Sequence, residues 1–450
     1  MLKADSASRT ETATNTEIAA KAAFQLGQSA YNTHNYREAL KHYCQSAALA
    51  PKNSTYLSEA GRLSELMAQY QGATKYYQTA LTLDHESQDQ TPENIARDLN
   101  GLGEVSLALS QYDQAKDYFE QAIDHSQKKN NRLNSGDQFS GKYLDNTGSV
   151  WQKKGDNTRA RDYHLRAITQ DTNYYGKTHP SVARDRCHLG IAYQSLGQYD
   201  EAINCFKQAL DSDLKTHDKN HPDIARDRCN LGCIRQLIGE QDAALEQFEQ
   251  ALAIEHPIFG EDHPHVAGTY ASLGLTWQLK GDYPQAIQYL GRALASNLKV
   301  YGDDHPQVAM CNNNLGLTYG LMGEHDAAIA YIELALNNNL KCFGKTHPDV
   351  AIHQNNLGCA WRDKGDYNKA INYFEQALEC DLLIFGSVHP NIAIRMENLG
   401  FSWQEQGNNE NAITYYEQAL SLNTEVFGEQ NNRNEAIKSE LEKLRPKSGE

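Results

Sequence analysis

The sequence predicts an all-α fold: a right-handed superhelical solenoid of about ten helix pairs, closed by one further helix. Three observations predict it: a fixed glycine period, helical periodicity inside each period, and turn residues at constant places. Gly148, Gly190, Gly232, Gly274, Gly316, Gly358 and Gly400 follow one another at 42-residue steps without a slip. Gly103 stands 45 residues before Gly148, Gly61 another 42 before that, and Gly27 another 34. Ten repeats result. At this period each repeat can bury its apolar face only against its neighbours.

Within a repeat the apolar pattern is helical. In "LGIAYQSLGQYDEAINCFKQAL", Leu189 to Leu210, the residues Tyr199, Ala202, Phe206, Ala209 and Leu210 recur at three- and four-residue steps, the stripe of an amphipathic helix. Gly197 marks the turn between two antiparallel helices. Gly190, Ala202 and Ala209 allow close approach, and Tyr193, Tyr199 and Phe206 fill the space between.

A second series punctuates the repeats. His179-Pro180, His221-Pro222, His263-Pro264, His305-Pro306, His347-Pro348 and His389-Pro390 share the 42-residue pitch. Each His stands about one helix start ahead of a phasing glycine, and proline suits the first helical turn, where its missing N–H is not needed. Gly176, Gly260, Gly302, Gly344 and Gly386 precede these prolines by four residues and suit a left-handed cap on the previous helix. Asp218 breaks this column, and Asp tolerates that conformation better than most residues. The six histidines therefore read as helix starts rather than metal ligands.

The ends differ. Residues 1–17 are polar and read as a disordered tail. Residues 18–430 carry the array. Residues 431–450 read as a capping helix and tail, with Ala436, Ile437, Leu441 and Leu444 on one face. The stretch from His125 to Ser140 reads as the long loop or hinge, and "DHESQDQTPEN" as the next.

The series Gly358, Trp361, Gly365, Tyr367, Ala370, Phe374, Ala377 and its echo Gly400, Trp403, Gly407, Ala412, Tyr416, Ala419 resemble the tetratricopeptide repeat (TPR). The first repeat, Gly27 to Pro51, has the ordinary 34-residue form. The longer repeats, as in "FGKTHPDVAIHQNNLG", resemble the 42-residue variant of kinesin light chain and nephrocystin-3-like proteins. Gln241 and Asn409 depart from the inter-helix Tyr, and Arg235 and His164 depart from the aromatic positions.

Formal net charge is −16 over 450 residues, which argues against general nucleic-acid or anionic-membrane binding. No run approaches the length of a membrane span. Nine cysteines without CxxC pairs fit a reducing cytoplasm. No P-loop, GxSxG, HExxH or dinucleotide-binding pattern occurs in context, so neither catalysis nor a cofactor is expected. Cys187, Cys229 and Cys233 are an imaginable zinc cluster with His188, read here as packing residues.

Two columns on the first helix of each repeat are candidates for function. Two residues before the phasing glycines stand Asn146, His188, Asn230, Ser272, Asn314, Asn356 and Asn398. The TPR resemblance implies that this helix lines the concave groove and that these amides meet the backbone of an extended peptide. Bonding between repeats is the alternative. Six residues before the glycines the column reads Arg97, Lys142, Arg184 and Arg226, then Gly268, Met310, Ile352 and Ile394. The cations either meet ligand or pair with acids such as Asp185 and Asp227. Glutamines at positions 152, 194, 236, 278 and 404 could extend a polar lining.

The resemblance implies a scaffold or adaptor that takes a protein or peptide partner in the groove, without nucleic acid and without membrane insertion. A kinesin light chain-type motor cargo adaptor is the alternative, weakened because no heptad segment precedes the first repeat. A metal-dependent or regulatory protein using the Cys187, Cys229 and Cys233 region is the remaining one.

Overall fold

The computed structural model describes residues 2–33, 35–87, 91–127, 140–429 and 432–445. Twenty-one helices follow in order: α1 Leu2–Asn32, α2 Tyr36–Leu49, α3 Ser54–Leu66, α4 Tyr70–Glu86, α5 Pro92–Ala108, α6 Tyr112–Gln127, α7 Ser140–Lys153, α8 Asn157–Tyr175, α9 Pro180–Ser195, α10 Tyr199–Thr216, α11 Pro222–Leu237, α12 Gln241–Phe259, α13 Pro264–Leu279, α14 Tyr283–Tyr301, α15 Pro306–Leu321, α16 His325–Phe343, α17 Pro348–Asp363, α18 Tyr367–Phe385, α19 Pro390–Glu405, α20 Asn409–Phe427 and α21 Asn432–Leu444. No strand occurs among the described residues. The expected ten pairs and one extra helix are all present.

The chain divides into two compact units. One comprises residues 1–280 and 295–302, the other 281–294 and 303–450. Within each, a helix packs on the helices next to it in sequence. First helices also approach each other directly: α3 with α5, α5 with α7, α7 with α9, α9 with α11 and α11 with α13 in one unit, α15 with α17 and α17 with α19 in the other. Among the described residues no pair of second helices is in comparable contact. The first helices therefore lie on the inner side of each unit's curve.

The phasing glycines are explained by the helix pair itself. A Cβ on Gly190 would lie 2.6 Å from the ring of Phe206, one on Gly232 2.5 Å from Phe248, and one on Gly358 2.6 Å from Phe374. The aromatic side chain of the second helix packs directly against the bare backbone of the first. Phe206, Phe248 and Phe374 are almost wholly buried, and truncating such a ring costs about 3–5 kcal/mol. Where Ile332 replaces the ring, the contact with Gly316 persists at 2.6 Å.

The turns between paired helices need a positive φ. Gly155, Gly197, Gly239, Gly323, Gly365 and Gly407 supply it, with φ between 73° and 90°. In the early repeats Ala68 (φ 56°) and Ser110 (φ 59°) take the same place, at a steric cost glycine does not carry. The departures at Gln241 and Asn409 fall on the first residue of α12 and of α20. Tyr199, at the same place, is 40% exposed, whereas Tyr36 and Tyr112 are buried there, so the contribution of this position varies from repeat to repeat.

Every His-Pro pair starts a helix, as expected, and the histidine has a defined task. Its Nδ1 accepts the backbone N–H two residues on: Ser181 to His179 and Asp223 to His221 at 3.2 Å, His265 to His263 at 3.1 Å. The same holds for His305, His347 and His389. An imidazole nitrogen thus takes the N-cap role usually given to Ser or Asp. The ring also stacks on the aromatic four residues earlier, with Phe343 and His347 centroids 3.8 Å apart and Phe385 and His389 3.9 Å apart. That aromatic is the end of the previous helix, so one side chain closes one helix and opens the next.

Three expectations change. The glycines at 176, 260, 344 and 386 have positive φ, but ψ is 162°, 174°, −167° and −162°. This is the extended mirror region reserved for glycine, not the left-handed helical one. Asp218 avoids it: α10 ends instead with His217 extended at φ −125°, ψ 162°. The polar stretch read as a disordered tail to residue 17 is described as part of α1. Neither Gly nor Pro interrupts the chain before Gly27. The proposed hinge lies for the most part outside the described residues, as do residues 88–90 of the second loop.

At the other end, Ile437 and Leu441 of α21 are buried against Ala412, Tyr416 and Ala419, with Leu444 at the margin. Ala436 is exposed rather than on this face. Buried Asn434 donates to the carbonyl of Gly428 at 3.1 Å and secures the entry into α21.

Two outcomes follow from these contacts. Deleting residues 431–450 uncovers Tyr416 and its neighbours, and should lower the melting midpoint and increase aggregation in light scattering. Ala68→Gly should raise stability by roughly 0.5–1 kcal/mol in denaturant titration, because relief of left-handed strain outweighs glycine's unfolded-state entropy.

Candidate functional site

The candidate residues all lie on first helices, but most are already engaged. Asn146 Nδ2 donates to Asn100 Oδ1 at 2.7 Å and to Glu104 Oε1 at 3.2 Å. Asn356 Nδ2 donates to Asn313 Oδ1 at 2.9 Å, and Asn398 Nδ2 to Asn355 Oδ1 at 2.8 Å. Asn230 hydrogen-bonds the Cys187 thiol. One rule covers these contacts: the residue two before a phasing glycine reaches the residue three before the preceding one. His188 follows it, with Nδ1 2.5 Å from Asp145 Oδ2. Ser272 instead donates to the Gly268 carbonyl in its own helix. Asn314 makes no side-chain hydrogen bond among the described residues.

The column is therefore a ladder between repeats. An amide offers two donors and two acceptor positions, so one rung leaves acceptor capacity on its carbonyl oxygen; that of Asn356 also takes one long bond, from Asn355 Nδ2 at 3.5 Å. Asn314, Asn356 and Asn398 remain partly exposed.

The cations pair internally. Arg97 Nε is 3.1 Å from Asp98 Oδ1, and its guanidinium donates to Ser58 Oγ at 3.0 Å. Lys142 lies 3.4 Å from Glu104 and Arg184 3.2 Å from Asp185. Arg226 reaches Asp213 and Asp227 at 2.9 Å and Asp223 at 2.6 Å. Of the glutamines, Gln236 donates to Thr276 at 3.2 Å and Gln404 to Glu440 at 3.1 Å.

These pairings expose a column that sequence reasoning missed. Twenty-three residues after the phasing glycines stand Asp171, Asp213, Glu255, Asn339 and Asp381, all buried. Each meets a residue of the next first helix. Asp171 hydrogen-bonds Asp185, and Asp213 hydrogen-bonds Asp227. Thr269 donates to Glu255 at 2.8 Å, Asn339 Nδ2 to His353 Nε2 at 3.0 Å, and Arg395 to Asp381 at 3.0 Å. The 42-residue recurrence of a polar residue inside an apolar stripe was the available signal.

In the Asp–Asp pairs, burial and the neighbouring carboxyl both disfavour a second charge. Burial pushes Asp185 and Asp227 up to about 7 against the pull of Arg184 and Arg226. Asp171 rises to about 6, and Asp213 also rises, each chiefly through burial. His353 goes the other way: burial lowers it to about 4. Its Nε2 accepts from Asn339, so Nδ1 carries the proton and donates to Asn313 Oδ1 at 3.2 Å.

The cysteines do not converge. Cys187 donates to Asp227 at 3.2 Å, Cys229 lies 3.3 Å from Thr269 Oγ1, and Cys233 bonds Ser272. Burial raises all three thiols, Cys229 to about 12, so they stay protonated and pack, as expected.

What stays open differs between the two units. In the second, Met310 (43% exposed), Ile352 (39%) and Phe401 (39%) present apolar surface on the inner helices beside Asn314, Asn356 and Asn398. Leu317, Cys359 and Ile394 are partly exposed among them.

The raised carboxyls give a pH dependence of known sign. Asp227 has a folded value of about 7, above about 3.9 in an unfolded chain. Its contribution is fully present below pH ~4 and is lost as pH rises through ~7. Asp227→Asn should come nearest the parent at pH 4 and exceed its melting midpoint by a growing margin up to pH 8. An equal margin at pH 4 and pH 8 would show that titration of this carboxyl does not matter.

The sequence profile of the tetratricopeptide repeat matches residues 143–215, 187–255, 265–341 and 313–382, and related TPR profiles match 392–434 and 99–128. No curated protein matches the chain by sequence. Among solved structures, a Rap protein complexed with competence and sporulation factor is similar over 87% of this chain and 99% of that one, at 15% identity and a TM-score of 0.53. The TPR-like repeats of a kinesin light chain-type protein from Podosopora anserina align over 46% of this chain and 97% of theirs, at 22% identity and a TM-score of 0.41. BtubC (BKLC) from P. vanneervenii aligns over 53% of this chain and 93% of its own, at 23% identity and a TM-score of 0.41. No helix among the described residues is long and apolar enough to cross a membrane. With repeat profiles matched over more than half of its length and helix pairs packed on a glycine–aromatic contact, the chain belongs to the tetratricopeptide repeat family.

Proposed function

We propose that the chain is a protein-interaction scaffold that captures an extended peptide on the first helices of its second compact unit, α15, α17 and α19. The observation that supports this is the combination of three partly exposed amides, Asn314, Asn356 and Asn398, with the exposed Met310, Ile352 and Phe401 beside them. An extended segment brings unpaired backbone groups and alternating side chains. The amide oxygens left over from the ladder, and the whole Asn314 amide, can meet the backbone. The apolar residues can take the side chains. The ladder bonds of Asn356 and Asn398 hold their amides in one orientation, which reduces the entropy lost on binding.

Arg97, Lys142, Arg184 and Arg226 play no direct part in this reading, because buried or neighbouring carboxylates already hold them. A motor-adaptor role is not favoured by any feature of the inner face.

Charge substitution at exposed apolar positions separates binding from folding. Met310→Glu, Ile352→Glu and Phe401→Glu should keep helical circular dichroism and abolish retention of partners mapped on a peptide array. Asn314→Ala should weaken a mapped peptide by roughly 1 kcal/mol with no loss of melting midpoint. Asn356→Ala and Asn398→Ala should lower both, since each also breaks a rung. Undiminished binding by the triple glutamate variant would remove this face from the function.

A further inference from the structure

In a repeat protein each column supplies its own baseline, and at one place three columns break it together. Asp145 stands in the hub position that Ser58, Asn100, Cys187 and Cys229 hold elsewhere in the first compact unit. His164 stands where Tyr77, Phe119, Phe206 and Phe248 lie on their glycines. His188 stands in the asparagine column. These three residues come from α7, α8 and α9, and they meet. His164 Nδ1 is 2.7 Å from Asp145 Oδ1, and His188 Nδ1 is 2.5 Å from Asp145 Oδ2. The rings are 5.8 Å apart and inclined by 50°. Asp145 and His164 are buried, and the His188 side chain is 36% exposed at the edge of the inner face.

We propose that Asp145, His164 and His188 form a binding site for a divalent transition-metal ion of the zinc class. Two imidazoles and a carboxylate are the donors such ions take, and carboxylate with imidazole does not favour magnesium or calcium. Their ligand atoms all lie within 4.8 Å of one another. Zinc bonds of about 2.0–2.2 Å place donors roughly 3.3 Å apart. The His164 and His188 contacts must therefore widen by about 0.6 and 0.8 Å; the partly exposed His188 ring can supply the second, and the first needs a small shift of buried His164 or Asp145. An ion on Nδ1 replaces the proton there, which moves to Nε2 of a neutral ring or, from a protonated ring, to solvent, so uptake weakens as pH falls. Asp171 and Asp185 lie near enough to act on Asp145 and favour a cation, and Arg184 opposes it. Three protein donors leave a coordination position on the His188 side, where water or a partner's side chain can bind. The ion would join two successive helix pairs through α7, α8 and α9.

The other group of three, His217, His221 and Asp223, does not share this geometry. Its rings stack at 3.7 Å and 22°, so the ring planes meet well beyond metal-bonding reach of both nitrogens, and His221 Nδ1 already accepts the Asp223 N–H. The cysteines at 187, 229 and 233, read from the sequence as packing residues, are engaged singly.

The test uses untagged full-length protein stripped with chelator, titrated calorimetrically with zinc chloride and spectroscopically with cobalt(II). One ion per chain is expected, with cobalt d–d bands of the intensity of a four- or five-coordinate site. His164→Phe restores the ring found in neighbouring repeats, and His188→Asn restores the asparagine, so both variants should keep the parent circular dichroism. Each should lose affinity by about 100-fold or more. No uptake by the parent, or uptake unchanged in both variants, would overturn the site; the first result would leave the three residues as a hydrogen-bonded seam alone.

Discussion

An aromatic ring packed on a bare glycine is the contact on which the rest of this structure depends. Phe206 on Gly190, Phe248 on Gly232 and Phe374 on Gly358 leave no room for a Cβ, so each first helix approaches its second more closely than any larger residue would allow. Repeating that approach at a 42-residue pitch fixes how far each pair is set from the next. The His-Pro starts work at the same scale. One imidazole stacks on the end of the outgoing helix and caps the incoming one, and the link between pairs becomes as regular as the pairs themselves.

On this uniform frame the seams between pairs vary. The polar position on each second helix meets a partner on the next first helix, as Asp with Asp, Glu with Thr, Asn with His or Asp with Arg. A buried polar group is costly without a partner and tolerable with one. Each seam therefore accepts its own neighbour with its own chemistry. Such pairing can hold repeats in register, since a slip by one repeat would set unlike groups face to face. It also makes parts of the array sensitive to pH in opposite directions, because burial raises the Asp185 and Asp227 carboxyls and lowers the His353 imidazole.

The seams explain which inner-face residues remain for a partner. Cations in the first compact unit are consumed by carboxylates on the same or the preceding helix. In the second unit the hub residues Asn313 and Asn355 take one bond from each amide, and the flanking positions are apolar and exposed. The surface left over carries partly exposed side-chain amides and exposed apolar residues.

By itself the sequence determined the helix pairs, their number, their turns and their starts, because those follow from local periodicity and from Gly, Pro and aromatic placement within a repeat. It also determined the amphipathic face of α21 through Ile437 and Leu441. What each column touches was decided only by the tertiary structure. Asn356 reaches Asn313 across 43 residues, and an amide facing a peptide has the same sequence spacing as an amide facing the previous repeat. The polar column of Asp213 and Asp381 was masked by its place in an apolar stripe. The meeting of Asp145, His164 and His188 needed three helices in space. Local pattern fixes which way a side chain faces on its own helix, and only the packing of the next repeat fixes what it faces.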